Sequence, residues 1–293
     1  MCPTSETDEV GEVGGVGEVD HGPYDGLDST DPAHWAFGTG FADPLAGIDP
    51  HLPEGLDRPA HAALCLLLGD DALVLSHRLS EWCSRAPDLE DDVALSNIAL
   101  DLLGQARLLL ARAAVVDPAV VPALPEGSPV PAEDALAFFR DAPAYLSSRT
   151  AALVNGDFGH TVLRLFLWST VRLAVLQRLV GHPDPVLAAV AAKGVKELTY
   201  HRDWSGRWVL TLAHGTRESR RRTAAAFDVL VAGWVELLGR HPDVSQEVEA
   251  VLDQLLDAAE LERPAVDAGL VDDLPDLIAE LQSVARAHPM GQW

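Results

Sequence analysis

Cysteine is scarce in this chain: among 293 residues only Cys2, Cys65 and Cys83 occur. Their number is odd and their spacing fits no metal or redox motif, which excludes a disulfide scaffold or a zinc module and favours a reducing cytoplasm. Aromatic residues make up only 6% of the chain, while Ala and Leu dominate its 48% hydrophobic content. That balance favours helix packing over a sheet sandwich. Positive charge is also short. The net charge of −24 argues against nucleic acid, whose phosphates would be repelled. No period-two apolar pattern of any length appears, and no repeat of solenoid length. No Gly-rich phosphate loop and no G-x-S-x-G elbow is present. The longest apolar-looking run, Val162 to Val180, is interrupted by Arg164, Arg172 and Arg178, which argues against a membrane span. The acidic N-terminus lacks the basic start and apolar core of a signal peptide.

What is present is helical. Residues 1–57 carry thirteen Asp and Glu and no Lys or Arg, with Gly- and Pro-rich motifs throughout. Residues 1–58 are therefore expected to form an acidic, disordered extension, in which Trp35, Phe37 and Phe41 are the exceptions able to dock. Residues 59–293 read as one helical domain. Its first helix starts near Pro59 and ends near Cys83, where Ser84–Pro87 supplies the break. Asp88 stands at the N-cap of a second, almost wholly apolar helix, with Asp91 three residues on. A Pro-rich connection from Asp117 to Pro131 precedes a short helical piece over Ala132–Asp141. Asn155-Gly-Asp157 introduces a third long helix to about Val180, and Gly181–Pro185 breaks it. A fourth runs from about Val186 to Ala213. Weaker helices fit Glu218–Leu238, Ser245–Leu261 and Asp273–Ala287. The expected class is all-α, a bundle built on two long helical hairpins with extra C-terminal helices.

Asn97, Asp101 and Gln105 form a polar stripe at i, i+4, i+8 on the apolar second helix and are expected to point inward. A carboxylate there requires a metal, a cation or hydrogen bonds. Four long helices with inward acids match the layout of di-iron carboxylate bundles, which use two lone Glu and two Glu-x-x-His pairs. Tested against that template, the chain departs at each step. Asp101-Leu-Leu-Gly104 has glycine at the histidine position. Glu197-Leu-Thr-Tyr200-His201 has tyrosine there, with histidine one residue late. Asp157-Phe-Gly-His160 keeps the spacing but lies at a helix start, where a cap is the simpler reading. Folding each hairpin back on itself is expected to gather Asp70, Asp101, Arg164, Glu197 and His201 in one buried layer, a degenerate, metal-free centre in which Arg164 neutralises Asp101 or Glu197. A residual metal site, or side chains facing solvent, are the alternatives. His77 and Glu81 read as an ordinary i, i+4 pair, and Arg217, Arg220, Arg221 and Arg222 as a solvated basic helix start.

The stretches LGDDALVLSHRLSEWCSRAPDLEDDVALSNIALDLLGQAR, NGDFGHTVLRLFLW and VKELTYHRDWSGRWVL, with the terminal GQW, resemble the C-type component of phenylacetyl-CoA epoxidase. The resemblance is dense from about Leu64 to Thr216, diffuse from Arg217 to Ala287, and absent before Pro59. It implies a ferritin-like subunit of a multicomponent oxygenase that epoxidises the ring of phenylacetyl-CoA during aerobic phenylacetate breakdown. It further implies a di-iron A-type catalytic subunit as partner, binding the CoA thioester, and a reductase drawing electrons from NADPH. On that implication this chain is a structural, non-catalytic subunit with no cofactor of its own. Two other readings compete: a di-iron oxygenase subunit in its own right, using Asp101, Glu197 and His201, and a helical binding module for a basic partner.

Overall fold

The computed structural model describes residues 45–266, 269 and 271–291. Among the described residues the regular structure is helical, with no strand. Residues 45–57 lead in without helix; Leu45 rests against the core, and the Pro50 carbonyl accepts a 2.7 Å hydrogen bond from Arg112. The remainder of the acidic extension, including Trp35, Phe37 and Phe41, lies outside the described residues, as does Trp293.

The helix boundaries follow local chemistry. Helix α1 (Arg58–Ser80) opens with Pro59 in its first turn and the Asp57 side chain accepting from the Ala60 N–H. The chain then reverses through Ser84, whose φ of 64° is left-handed, and the Ser84 N–H donates to Asp92 at 2.7 Å. Asp88 caps α2 (Leu89–Val116) by accepting from the Asp91 N–H. Helix α3 (Ala132–Phe138) follows the Pro-rich connection, and then α4 (Arg149–Ala152), a single turn too short for periodicity to reveal. Asp157 caps α5 (Phe158–Leu179), and Asp184 caps α6 (Pro185–His214). A Thr216–Ser219 capping box starts α7 (Arg217–Arg240), before α8 (Ser245–Ala259) and α9 (Leu274–Ala287).

Helices α1 and α2 pack as one long hairpin and α5 and α6 as the other, and together they form the ferritin-like bundle. Helix α5 is buried on all sides over most of its length, as expected of a helix apolar around its circumference. By length and composition alone α1 and α2 are apolar enough to cross a membrane, yet α1 lies in the bundle interior and α2 packs one face against it. Helices α7 and α8 cover α5 and α6. Asp184 is fully buried at one end of the bundle, accepting from Arg112 Nε at 2.8 Å, Arg112 Nη2 at 2.7 Å and His61 at 2.7 Å. Burial alone would raise its carboxyl, but Arg112, His61 and the Val186 N–H together hold it below the usual carboxylate range.

Candidate functional site

Helices α2 and α6 lie side by side and antiparallel, as three side-chain contacts record. Trp208 Nε1 donates to Asp91 at 2.9 Å, His201 Nε2 to Asp101 at 3.0 Å, and Gln105 Nε2 to Glu197 at 2.9 Å. The acceptor-only carboxylate of Asp101 places the proton of His201 on Nε2. His201 is fully buried, whereas the Asp101 side chain is 39% exposed. Lys193, one turn before Glu197, pairs with it through its Nζ. Three of the five sequence-chosen residues, Asp101, Glu197 and His201, thus meet along one seam, at the edge of the bundle and not at its dry centre.

The other two do not join them. Asp70 is fully buried, but its carboxylate is held by Arg140 through both guanidinium nitrogens and by the Leu146 N–H at 2.9 Å. Burial pushes its carboxyl above the usual range even against Arg140. Arg164 is fully buried and pairs with neither Asp101 nor Glu197; its guanidinium donates to the Leu153 carbonyl and to Asn155 Oδ1. Two physical reasons account for this correction. Phe166 meets Gly206 and Leu176 meets Gly194, so Arg164 lies about two turns beyond His201 along α6. A helical side chain also leans toward its own N-terminus, which carries the guanidinium back to the loop before α5. Desolvation holds the Arg164 guanidinium down to about 10, with Arg78 nearby adding to the effect.

The stripe itself also runs differently from expectation. Asn97 is exposed, Asp101 half-buried and Gln105 buried, so the row crosses from solvent into the seam. Leu100 and Leu103, expected to enclose the acid, are 63% and 44% exposed. His77 does not pair with Glu81, which is taken by Arg78 and Asn155. In the basic cluster Arg221 and Arg222 are neutralised by Glu218.

A di-iron pair does not fit these residues. Gly104 supplies no ligand, Tyr200 is 52% exposed, Glu197 is engaged by Lys193 and Gln105, and Asp70 is engaged by Arg140. Among the described residues no three His, Cys, Asp or Glu side chains are gathered to hold an ion.

A family model described as "Phenylacetic acid catabolic protein" matches residues 51–293. The chain belongs to that family. Over 254 residues, 79% of this chain and 98% of the relative, it is 35% identical to the C-type component of the 1,2-phenylacetyl-CoA epoxidase of Escherichia coli K12. The acidic segment before residue 51 lies outside the family match.

Sequence reasoning missed the contacts that hold the opposite side of this family member together. Asp71, beside Asp70, accepts from the Ser148 N–H at 2.8 Å, Ser148 Oγ at 2.7 Å and Trp168 Nε1 at 2.8 Å. Gln282 of α9 donates to the Arg140 carbonyl at 2.8 Å and to Tyr145 Oη at 2.9 Å. Two adjacent acids in an apolar helix were the available signal. Their partners, Arg140 and Ser148, sit in a loop without periodicity.

Proposed function

We propose that this chain is the structural, non-catalytic subunit of a multicomponent phenylacetyl-CoA ring epoxidase, supporting a di-iron catalytic A-type sibling in aerobic phenylacetate degradation. One observation carries the reading: at the bundle positions where a di-iron sibling would place ligands, Gly104 offers none, and Glu197 is ion-paired to Lys193 and hydrogen-bonded by Gln105. The 35% identity to the C-type component of the 1,2-phenylacetyl-CoA epoxidase supports ring epoxidation of phenylacetyl-CoA as the reaction of the complex. On this reading the chain binds no cofactor; iron sits in the sibling, electrons arrive from NADPH through a reductase, and the complex works in the cytoplasm.

The competing reading, a di-iron oxygenase using Asp101, Glu197 and His201, rests on the clustering of those three residues along one seam. It requires Lys193 to release Glu197. Purification of the chain alone and with its sibling, followed by mass and iron determination, separates the two. The scaffold reading expects iron only in the complex and epoxidation only when both subunits are present. Stoichiometric iron in the isolated chain, removed by Glu197→Gln, would establish the other.

A further inference from the structure

Helices α6 and α8 pack together on the side of the bundle away from α2. At the C-terminal end of α6, His214 Nε2 donates to the Ala258 carbonyl at 2.7 Å and joins them. Away from that contact a groove of about 590 Å³ lies between the two, within the range of about 300–1,000 Å³ found for small-molecule sites. It follows α6 from Lys196 to Leu210, a rise of about 21 Å. Its apolar lining is Phe166 of α5, Leu210 of α6, and Val251 and Leu255 of α8. Gly206 has no side chain to cover the Phe166 ring, and a Cβ there would stand 3.2 Å from it.

The rim of this groove is positive on a chain whose net charge is −24. Lys196, Arg202 and Arg207 line it, and among the described residues that do so Asp203 is the single carboxylate. Arg207 engages Asp203. Lys196 and the half-buried Arg202 have no ion pair or side-chain hydrogen bond among the described residues. Elsewhere the cations are tied to the chain's own acids: Arg112 to Asp184, Arg140 to Asp70, Lys193 to Glu197. A half-buried guanidinium has given up part of its hydration, so an anion from outside completes one that the chain leaves unpartnered. Tyr200 stands one turn after Lys196 on the same face and is 52% exposed. An exposed aromatic ring beside cations is a surface on which a nucleobase stacks.

We propose that the α6–α8 groove binds a coenzyme A thioester, with its phosphates at Lys196 and Arg202, its adenine on Tyr200 and its acyl arm along Leu210, Val251 and Leu255. The identity of the thioester rests on the functional reading above, which itself requires no such site on this subunit. Cations and apolar surface in one groove select an amphipathic anion. Free phosphate would leave the apolar length unused, and a simple aromatic acid would leave the second cation unmatched. Shape narrows the class further. A volume of about 590 Å³ spread over about 21 Å has a cross-section of about 28 Å², room for an extended chain and not for a peptide helix about 10–12 Å across. An extended peptide would fit the width but would set its backbone N–H and C=O groups against apolar walls. The acidic chain repels an anionic thioester over most of its surface, so a cationic groove fixes where such a ligand is captured and raises its concentration there.

The test is isothermal titration of the full-length chain with phenylacetyl-CoA, coenzyme A, ATP and pantetheine, which lacks the nucleotide. Phenylacetyl-CoA is expected to bind one per chain, more tightly than coenzyme A and more weakly as salt rises. Pantetheine is expected not to bind. Lys196→Gln combined with Arg202→Gln is expected to weaken phenylacetyl-CoA binding by at least about tenfold, with helical content and thermal midpoint unchanged. Arg85→Gln, an exposed cation in the turn between α1 and α2, is expected to change nothing. No binding by the wild type, or equal binding by the wild type and the double variant, would overturn the proposal. ATP binding as tight as that of phenylacetyl-CoA would show a free-nucleotide site and overturn the thioester assignment. Epoxidation by the reconstituted complex, with no binding to the isolated chain, would overturn the groove and leave the functional reading intact. Binding that depends on Lys196 and Arg202, with no epoxidation by the complex, would uphold the groove and overturn that reading.

Discussion

The α1–α5 side and the α2–α6 side of the bundle handle polar groups in opposite ways. On the first, Asp70, Asp71, Arg140, Arg164 and Arg172 are all at least nine-tenths buried, and each is tied to a main-chain carbonyl, a loop N–H or an opposite charge. On the second, Asp101 is part-exposed, Leu100 and Leu103 face outward, and a Cβ added at Gly104 would meet nothing within 4 Å among the described residues. A polar residue in an apolar helix therefore carries two different meanings here. On the buried side it clasps an irregular loop to the core. On the open side it marks the seam between two helices at the edge of the bundle.

The largest effect expected from breaking this contrast is on the buried side. Arg140→Met leaves the Asp70 carboxylate in a dry site with the Leu146 N–H but no opposite charge, and is expected to cost about 3–5 kcal/mol in urea unfolding, whereas Asp70→Leu with Arg140→Met should cost far less. Near-equal losses for the single and double variants would show that Asp70 is solvated. Neighbouring leucines sharpen the comparison next. Leu102 is fully buried, so Leu102→Ala is expected to cost about 2–5 kcal/mol.

The pH dependence follows in size. Burial, with help from Arg164, holds the His160 imidazole down to about 4, from an ordinary 6.5. The unfolded chain thus takes up a proton that the folded chain refuses, and stability falls as pH drops from about 6.5 to about 4, by up to about 3 kcal/mol. His160→Gln should flatten that limb. Below about pH 4 the lowered Asp184 carboxyl adds its own loss, since its stabilisation is present above its ordinary 3.8 and disappears as pH falls through the folded value. An unchanged acid limb in an Asp184→Asn variant would remove Asp184 from this account.

Arg164→Met comes next. It leaves carbonyl acceptors unmet but strands no carboxylate, so a loss of about 1–3 kcal/mol is expected. A double-mutant cycle with Asp101→Asn should give coupling near zero, and a strong coupling would restore the single buried layer. The smallest effect belongs to Leu100→Ala in the isolated chain, expected within about 0.5 kcal/mol of wild type because the side chain is already in water.

Much of this molecule is legible in its sequence. Capping residues, prolines and 3.6-residue apolar spacing are local, and Asp88, Asp157, Pro59 and the break at Ser84–Pro87 fall where local rules place them. The pairing of Asp101 and Glu197 with α6 and α2 respectively is half legible, because antiparallel hairpins bring such residues to similar levels. The fate of Arg164 is not legible. Hairpin level says nothing of the direction in which a long side chain leans, and its acceptors lie in a loop whose course no periodicity encodes. The same holds for Asp70 and for the contact of Asp71 with Ser148, whose loop partners are between 70 and 77 residues distant.

Local sequence determined the helices, their ends and the family, because hydrogen bonding and steric preference act within a few residues. Only the tertiary structure decided which face of α2 met water. An almost wholly apolar helix carries no strong amphipathic signal to orient it, and burial is set by which neighbours arrive. For α2 those neighbours cover one side and leave Leu89, Val93, Leu100 and Leu103 exposed.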